Sequence, residues 1–452
     1  MKNRFKWGLI MFAIISVAFG FNKAFQYLSD NKLYAQFVFD QWYGAKDSPV
    51  VDGYTDKQSY DWGDTCEVFI NSASQGSVWL KLYDINDQAV DSAWVEVKPQ
   101  TASENGSEKG YGYQKTFEYV IPELKGGIYL WEKKVPVLVK GDEAKIGVLY
   151  PSNTCNAYNI SGGKSLYGMF SQQATQVSFL RPTFPYVSFQ SFHGLRHFFN
   201  HKEFQFSYLS DLDMDRKESL ENLEVLIIAG HSEYWSRQAR KNFDWFISKG
   251  GHAIILSGNT MWWQVRYSDK NDVMICYKSM EDPIENPLLR TVNWSDPSLN
   301  YPIGESIISD FLQGGYGRKN GIGFNGYKVV DKTHPLFQDV REDKLDILNV
   351  PSKEYDGVLM KYKKGEPIGL NNESFARTEL LAYDSLGDNR NGAFVFGKKA
   401  DSTGIIYNVG TMDWCSGYGL GGKDSTALKA ITDNMIRLCL AESQKIPVNL
   451  RK

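Results

Sequence analysis

The chain has 452 residues, a formal net charge of −3, 42% hydrophobic and 23% charged residues. This is an ordinary globular composition with room for two or three domains. No long basic run occurs, which argues against nucleic acid as a partner. Aromatic side chains are abundant, with 26 Tyr and 12 Trp. They suit β-rich structure, aromatic-lined pockets and plain core packing alike.

At the amino terminus Lys2, Arg4 and Lys6 precede the apolar run Trp7–Phe21. That order matches a secretory signal, residues 1–21, and the run is shorter than the roughly 20 residues of a membrane span. Ser16-Val17-Ala18 offers a small-residue cleavage site, whereas Phe19, Phe21 and Phe25 extend the apolar character and keep an uncleaved signal-anchor open. Either reading places the body outside the cytoplasm, exported (periplasmic or extracellular) or tethered to the membrane. Residues 22–51 read as a connector. The cysteines, Cys66, Cys155, Cys276, Cys415 and Cys439, are scattered without CxxC spacing. They are expected to be buried small hydrophobes, and their spacing gives no support to a zinc site.

Residues 52–140 carry alternating segments such as Thr65–Ile70 and Ser77–Tyr83, separated by turn-rich pieces such as Asp61–Asp64 and Asp84–Asp87. Phe117–Ile121, Gly127–Lys133 and Val135–Val139 bring the total to about six or seven strands, the pattern of an antiparallel β-sandwich. Residues 141–445 change to α/β texture. Lys145–Tyr150, Val225–Ala229 and Ala253–Ser257 are apolar runs of parallel-strand type. Ser236–Lys249 is helical in period and stops at Gly250-Gly251. Ala393–Phe396 and Gly404–Val409 follow as strands, and Ser425–Ala441 as the final helix. The fold class expected is all-β followed by a parallel α/β domain.

The stretch Val225–Arg266 concentrates the chemistry. Gly230-His231-Ser232-Glu233-Tyr234-Trp235 leaves one strand end and Ser257-Gly258-Asn259-Thr260 leaves the next. Strand carboxyl ends are where open α/β sheets hold ligands. His231 and Glu233, two apart, can share one side of an extended loop and either bind a metal or relay a proton. The alternative is a Glu233 helix cap with His231 on backbone. Asn259 can hold a substrate or its oxyanion, or simply occupy a left-handed turn. Neither loop carries a nucleophilic Ser or Cys in an elbow, which gives weight to a metal mechanism.

GHSEYWS…GGHAIILSGNTMWWQVR closely resembles the large subunit of N,N-dimethylformamidase and the family of its β-subunit-like C-terminal domain. Ser152–Tyr167 (SNTCNAYNISGGKSLY), Val273–Lys278 (VMICYK) and Val409–Gly419 (VGTMDWCSGYG) agree with it. The resemblance covers roughly residues 55–440. It implies a β-sandwich-like part followed by a glutamine-amidotransferase-like (flavodoxin-like) domain without the usual cysteine. It also implies a mononuclear ferric iron (Fe3+) site of two tyrosinates and one glutamate, hydrolysing a small amide. Carried over by position, the metal ligands are Tyr129, Tyr158 and Glu233, with Tyr150 and Tyr167 as other sources of the first phenol. His231 and Asn259 line the site, and Asp384 is the counterpart of a further carboxylate. Three anionic oxygens are hard ligands that favour ferric iron.

The chain is short for such a subunit and carries an export signal, so the resemblance speaks for fold and metal pocket more than for dimethylformamide as substrate. The function expected is an iron-dependent amide hydrolase acting on a small amide. The rival is an exported, non-catalytic ligand- or glycan-binding protein that uses the aromatic residues near Trp262 and Trp263.

Overall fold

Alternation of apolar and polar side chains between Val50 and Val139 produces seven strands. In the computed structural model they form two antiparallel sheets. One orders Val50–Thr55, Thr65–Ser72 and Phe117–Val120; the other orders Ala89–Val97, Gly76–Tyr83, Gly127–Trp131 and Val135–Val139. Cys66, Val68 and Ile70 from one sheet and Leu80 and Leu82 from the other enter a common core. Trp131 lies fully buried there, edge-on to Phe117 and Tyr119.

The structure describes residues 48–168, 171–183, 191–317, 326–350, 352–364, 366–387, 389–399 and 402–445. The expected signal or anchor lies outside the described residues, as does all but the end of the connector. No helix among the described residues is long and apolar enough to cross a membrane.

The described residues are mostly β with few helices, and their largest sheet is mixed. Its order is Ser207–Ser210, Ile146–Tyr150, Val225–Gly230, His252–Ser257, Ile405–Asn408, Arg390–Lys398, Arg377–Gly387 and Lys328–Val329. The first five run parallel. The last three join antiparallel. The sheet is therefore not parallel throughout, as the strand texture had suggested. The connection from Lys398 to Ile405 is too short for a helical crossover, so these strands turn back on one another. Val225–Gly230 and His252–Ser257 are buried along their whole length, which explains their unbroken apolar sequence. The helix Arg237–Ser248 joins them. Its first turn is capped by the Ser236 hydroxyl, which accepts from the Ala239 N–H, so Glu233 is left free of that task. All five cysteines are buried and unbridged.

Polar contacts tie the sandwich to the larger sheet. Ser152 Oγ donates to Gln58 Oε1 at 2.9 Å, and Ser59 Oγ donates to Asp213 Oδ2 at 2.6 Å. Beside them the buried Asp211 accepts from the Asn153 N–H at 2.7 Å. Burial pushes its carboxyl up to about 8 from an ordinary 3.8, against the pull of the Asn153 and Ser152 donors. A raised acid adds stability that is complete below about pH 4 and is lost as pH climbs towards 8. Asp211→Asn keeps an acceptor oxygen but cannot ionise. Thermal melts should show it matching the parent at pH 4 and melting higher than the parent at pH 8.

Candidate metal and amide site

Two glycines allow the strand ends to deliver their side chains. Gly230 ends its strand with a left-handed φ of +86°, and Asn259 follows Gly258 with φ of +52°. A Cβ on Gly258 would sit 2.5 Å from the Met412 nitrogen and 2.8 Å from the Glu354 carbonyl oxygen. The two loops lie against each other. His231 Nδ1 is 3.0 Å from the Gly258 carbonyl oxygen. That bond places the Nδ1 proton on the backbone side and leaves Nε2 to face the site.

Nε2 lies 3.3 Å from Glu233 Oε2 and 3.4 Å from the Tyr158 hydroxyl. Tyr158 donates to Glu233 Oε2 at 2.7 Å. Tyr158 comes from the short helix Ser152–Tyr158 that follows the Ile146–Tyr150 strand. Tyr167 stacks on Tyr158 with centroids 4.5 Å apart. The turn through Gly162 and Gly163, both left-handed, returns the chain so that the Leu166 N–H reaches the Ala157 carbonyl.

The strand Glu354–Gly357 supplies a second carboxylate. Glu354 Oε2 accepts from Asn259 Nδ2 at 3.1 Å and lies 3.8 Å from His231 Nε2. Asp356, on the same side of the strand, receives the Asn259 N–H at 2.8 Å and the Thr260 N–H at 3.2 Å. Asn259 is thus both a left-handed turn residue and a site residue. Its Nδ2 is committed to Glu354, and its Oδ1 is buried with no partner among the described residues.

Lys278 closes another side. Its ammonium sits 4.4 Å from the Tyr167 ring centroid, 5.0 Å from Trp263 and 5.1 Å from Tyr234. From Trp263 the aromatic contacts continue through Trp262 and Phe311 to Tyr316, whose phenol feels the charges of Glu354 and Glu233.

Electrostatics follow from burial and proximity. Burial would lift the Glu233 carboxyl, but His231, Lys278 and the Tyr158 hydroxyl bring it below its ordinary value. Burial would lower His231, yet Glu233 and Glu354 outweigh it and hold the imidazole up at about 9. Glu354 is raised by burial, only partly relieved by His231. Tyr158 is raised well above its ordinary value by burial and by Glu233.

Of the residues expected from sequence, Tyr158, Glu233, His231 and Asn259 come together. Tyr129 does not. It is buried in the sandwich core, donates to the Lys125 carbonyl at 2.7 Å and packs edge-on to Phe199. Tyr150 also stays apart, at the edge of a small cavity beside Cys155. Asp384 accepts from the Tyr355 hydroxyl at 3.1 Å, so it lies behind the strand that carries Glu354. Tyr167, the expected alternative to Tyr129, joins the site, and Glu354 and Lys278 are the additions. The glycine pair before Tyr167 signals its return over Tyr158. The spacing of Glu354 and Asp356 about Tyr355 signals two carboxylates on one strand face.

Another group among the described residues has metal-like spacing, His197, His201 and Asp433. There His201 Nδ1 accepts from the Glu203 and Phe204 N–H groups, each at 3.2 Å. Its proton is therefore on Nε2, 3.3 Å from Asp433 Oδ1, with no lone pair left for a cation. This group is a hydrogen-bonded clip between the helices Phe192–Phe199 and Ser425–Gln444.

A family model described as N,N-dimethylformamidase beta subunit-like, C-terminal, matches residues 91–426. The chain belongs to this family. No curated protein matches it in sequence. Among solved structures, a putative ThuA-like protein from Bacteroides uniformis is similar at 13% identity, covering 55% of this chain and 84% of that one, with a TM-score of 0.27. A cycloisomaltooligosaccharide glucanotransferase from Paenibacillus sp., complexed with cycloisomaltoheptaose, is similar at 12% identity over 46% and 27%, with a TM-score of 0.16. These scores are too low to assign a fold or a function. Within the family, the block His231–Asn259 and the Tyr158 and Tyr167 loop fall inside the matched residues.

Proposed function

We propose that the protein is an iron-dependent hydrolase of a C–N amide bond, with Tyr158, Tyr167 and Glu233 as metal ligands and His231 as the group that moves the proton. Family membership supports a hydrolase of this kind. The observation that carries the reading is the 2.7 Å contact between the Tyr158 hydroxyl and Glu233 Oε2, with Tyr167 stacked alongside and His231 Nε2 within 3.4 Å of both oxygens.

The donor set fits a hard trivalent cation. The phenol proton bridges two oxygens that a cation would draw together in its place. Burial keeps both phenols protonated in the free protein, so only a strong Lewis acid would ionise them. Bound iron would polarise the amide carbonyl or acidify a water molecule. The remaining work falls to the chain. His231, its Nδ1 held against the Gly258 carbonyl, takes a proton through Nε2 from the attacking water in its neutral form, populated as pH rises towards 9, and returns it to the departing amine nitrogen. Glu354 supports the imidazolium and orients Asn259. The Asn259 side chain offers an acceptor, Oδ1, and so holds a substrate N–H instead of stabilising an oxyanion.

In the same reading, the parallel half of the large sheet is a glutamine-amidotransferase-like domain, and the amino-terminal segment exports or tethers the protein. Fractionation with amino-terminal sequencing tests the latter. The central test is metal analysis with absorption spectroscopy of purified protein, alongside hydrolysis of formamide-type amides. Near-stoichiometric iron with a tyrosinate-to-iron charge-transfer band supports the assignment; colourless, metal-free, inactive protein overturns it.

The choice between the phenols has its own test. Tyr167→Phe is expected to weaken and shift the charge-transfer band. Tyr129→Phe is expected to leave band and iron content unchanged while costing about 1 kcal/mol of stability, the worth of one hydrogen bond. Spectra and melts of the two variants side by side check both statements.

A further inference from the structure

Two groups beside the site, one half-buried and one buried, lack what they need. The Lys278 ammonium is surrounded by the faces of Tyr167, Trp263 and Tyr234. Ring faces stabilise its charge but accept none of its hydrogen bonds in the ordinary way. No hydrogen bond or ion pair joins its Nζ to a described residue, although Glu233 lies within the reach of its charge. Asn259 Oδ1 is the second. The residue is 4% exposed, and its amide orientation follows from Glu354, since the reverse would set two oxygens against each other. A buried acceptor without a donor is costly to leave so.

We propose that the substrate supplies both partners: it is an amide that retains an N–H and carries a carboxylate close to the scissile bond. The N–H donates to Asn259 Oδ1 and the carboxylate pairs with the Lys278 ammonium. This rests on the amide-hydrolase reading and narrows its substrate class. A tertiary, neutral amide such as dimethylformamide offers neither group. The cage suits the role, because three rings fix the ammonium without neutralising it, and a desolvated charge pairs strongly with an arriving anion. Tyr234 contributes further, since its buried hydroxyl is likewise without a partner among the described residues.

The test uses three probes that differ by one feature each. N-formylglycine has both the N–H and the carboxylate, N-formylsarcosine lacks the N–H, and N-formylglycinamide lacks the charge. Binding is followed by calorimetry and by tryptophan fluorescence on the full-length protein, both iron-loaded and chelator-treated. N-formylglycine is expected to bind at least about tenfold tighter than either analogue. Lys278→Met should reduce it to the level of N-formylglycinamide while leaving that neutral probe little changed, and Lys278→Arg should restore part of the preference. Equal binding of the three probes, binding of none, or an equal loss for charged and neutral probes in Lys278→Met would overturn the proposal. The comparison within the unmodified protein stands even if the variant fails to fold. Absent iron or absent turnover would instead count against the metal reading, so the two failures are separable.

Discussion

Glu233→Gln protein is expected to purify without iron and without visible colour, while its melting temperature stays within a few degrees of the parent. Gln keeps the shape and one acceptor oxygen for the Tyr158 hydroxyl, which donates to Oε2 at 2.7 Å. It removes the charge that a trivalent cation requires of its ligands. It also takes from His231 and Lys278 the anion that they hold below its ordinary value, so a modest loss of stability accompanies the loss of metal. The effect on metal should go from near-stoichiometric to near zero in elemental analysis. Proton counting adds an independent sign. Tyr158 and Tyr167 are held protonated well above their ordinary range in the free protein. Loading iron must therefore expel phenol protons, and the apparent affinity should rise with pH over the neutral range. Release of protons measured with an indicator dye during loading checks this. Iron retained in Glu233→Gln, with the band intact, would remove Glu233 from the ligand set.

Much of this site was legible because its parts lie in one block. Val225–Gly230 and His252–Ser257 are fully buried parallel strands, and such strands are written as unbroken apolar runs that end in polar loops. His231, Glu233 and Asn259 follow directly from those ends. What was not legible depends on chain returns. Tyr129 and Tyr167 are both tyrosines near glycine pairs, yet one lies in mid-strand in the sandwich core and the other folds back on its own helix through Gly162 and Gly163. Only the spatial return separates them. Glu354 is harder still, because it arrives about a hundred residues later on a short strand whose companion, Asp310–Tyr316, pairs with it through an irregular register. Lys278 stood within a motif already singled out, but its cage of rings assembles from three separate segments. The antiparallel turn of the large sheet past Ile405–Asn408 was hidden for a similar reason, since an apolar strand core reads the same in either direction.

His231→Ala is expected to lower kcat on a hydrolysed amide by about a hundredfold to ten-thousandfold, the range for a positioned acid–base group, while iron content stays at the parental level. The distinction matters because His231 Nε2 is only 3.3 Å from Glu233 Oε2 and could be mistaken for a ligand. A shuttle loses turnover and keeps metal; a ligand loses both. Glu354→Gln sharpens the assignment further. Glu354 lies 3.8 Å from His231 Nε2, and its charge helps hold the imidazole up at about 9. Removing that charge lowers the histidine, since the cation is favoured only while an anion faces it. If neutral His231 is the form that takes the proton, activity is lost as pH falls through its pKa. The acidic limb of the kcat profile should then move to lower pH in Glu354→Gln, with the band of the metal unchanged. A limb that stays in place would mean that some group other than His231 sets it, and an altered band would mean that Glu354 belongs to the metal. Asp384→Asn provides the contrast, because Asp384 accepts from the Tyr355 hydroxyl behind the strand that carries Glu354; its profile should keep the parental limb, with any loss appearing in stability.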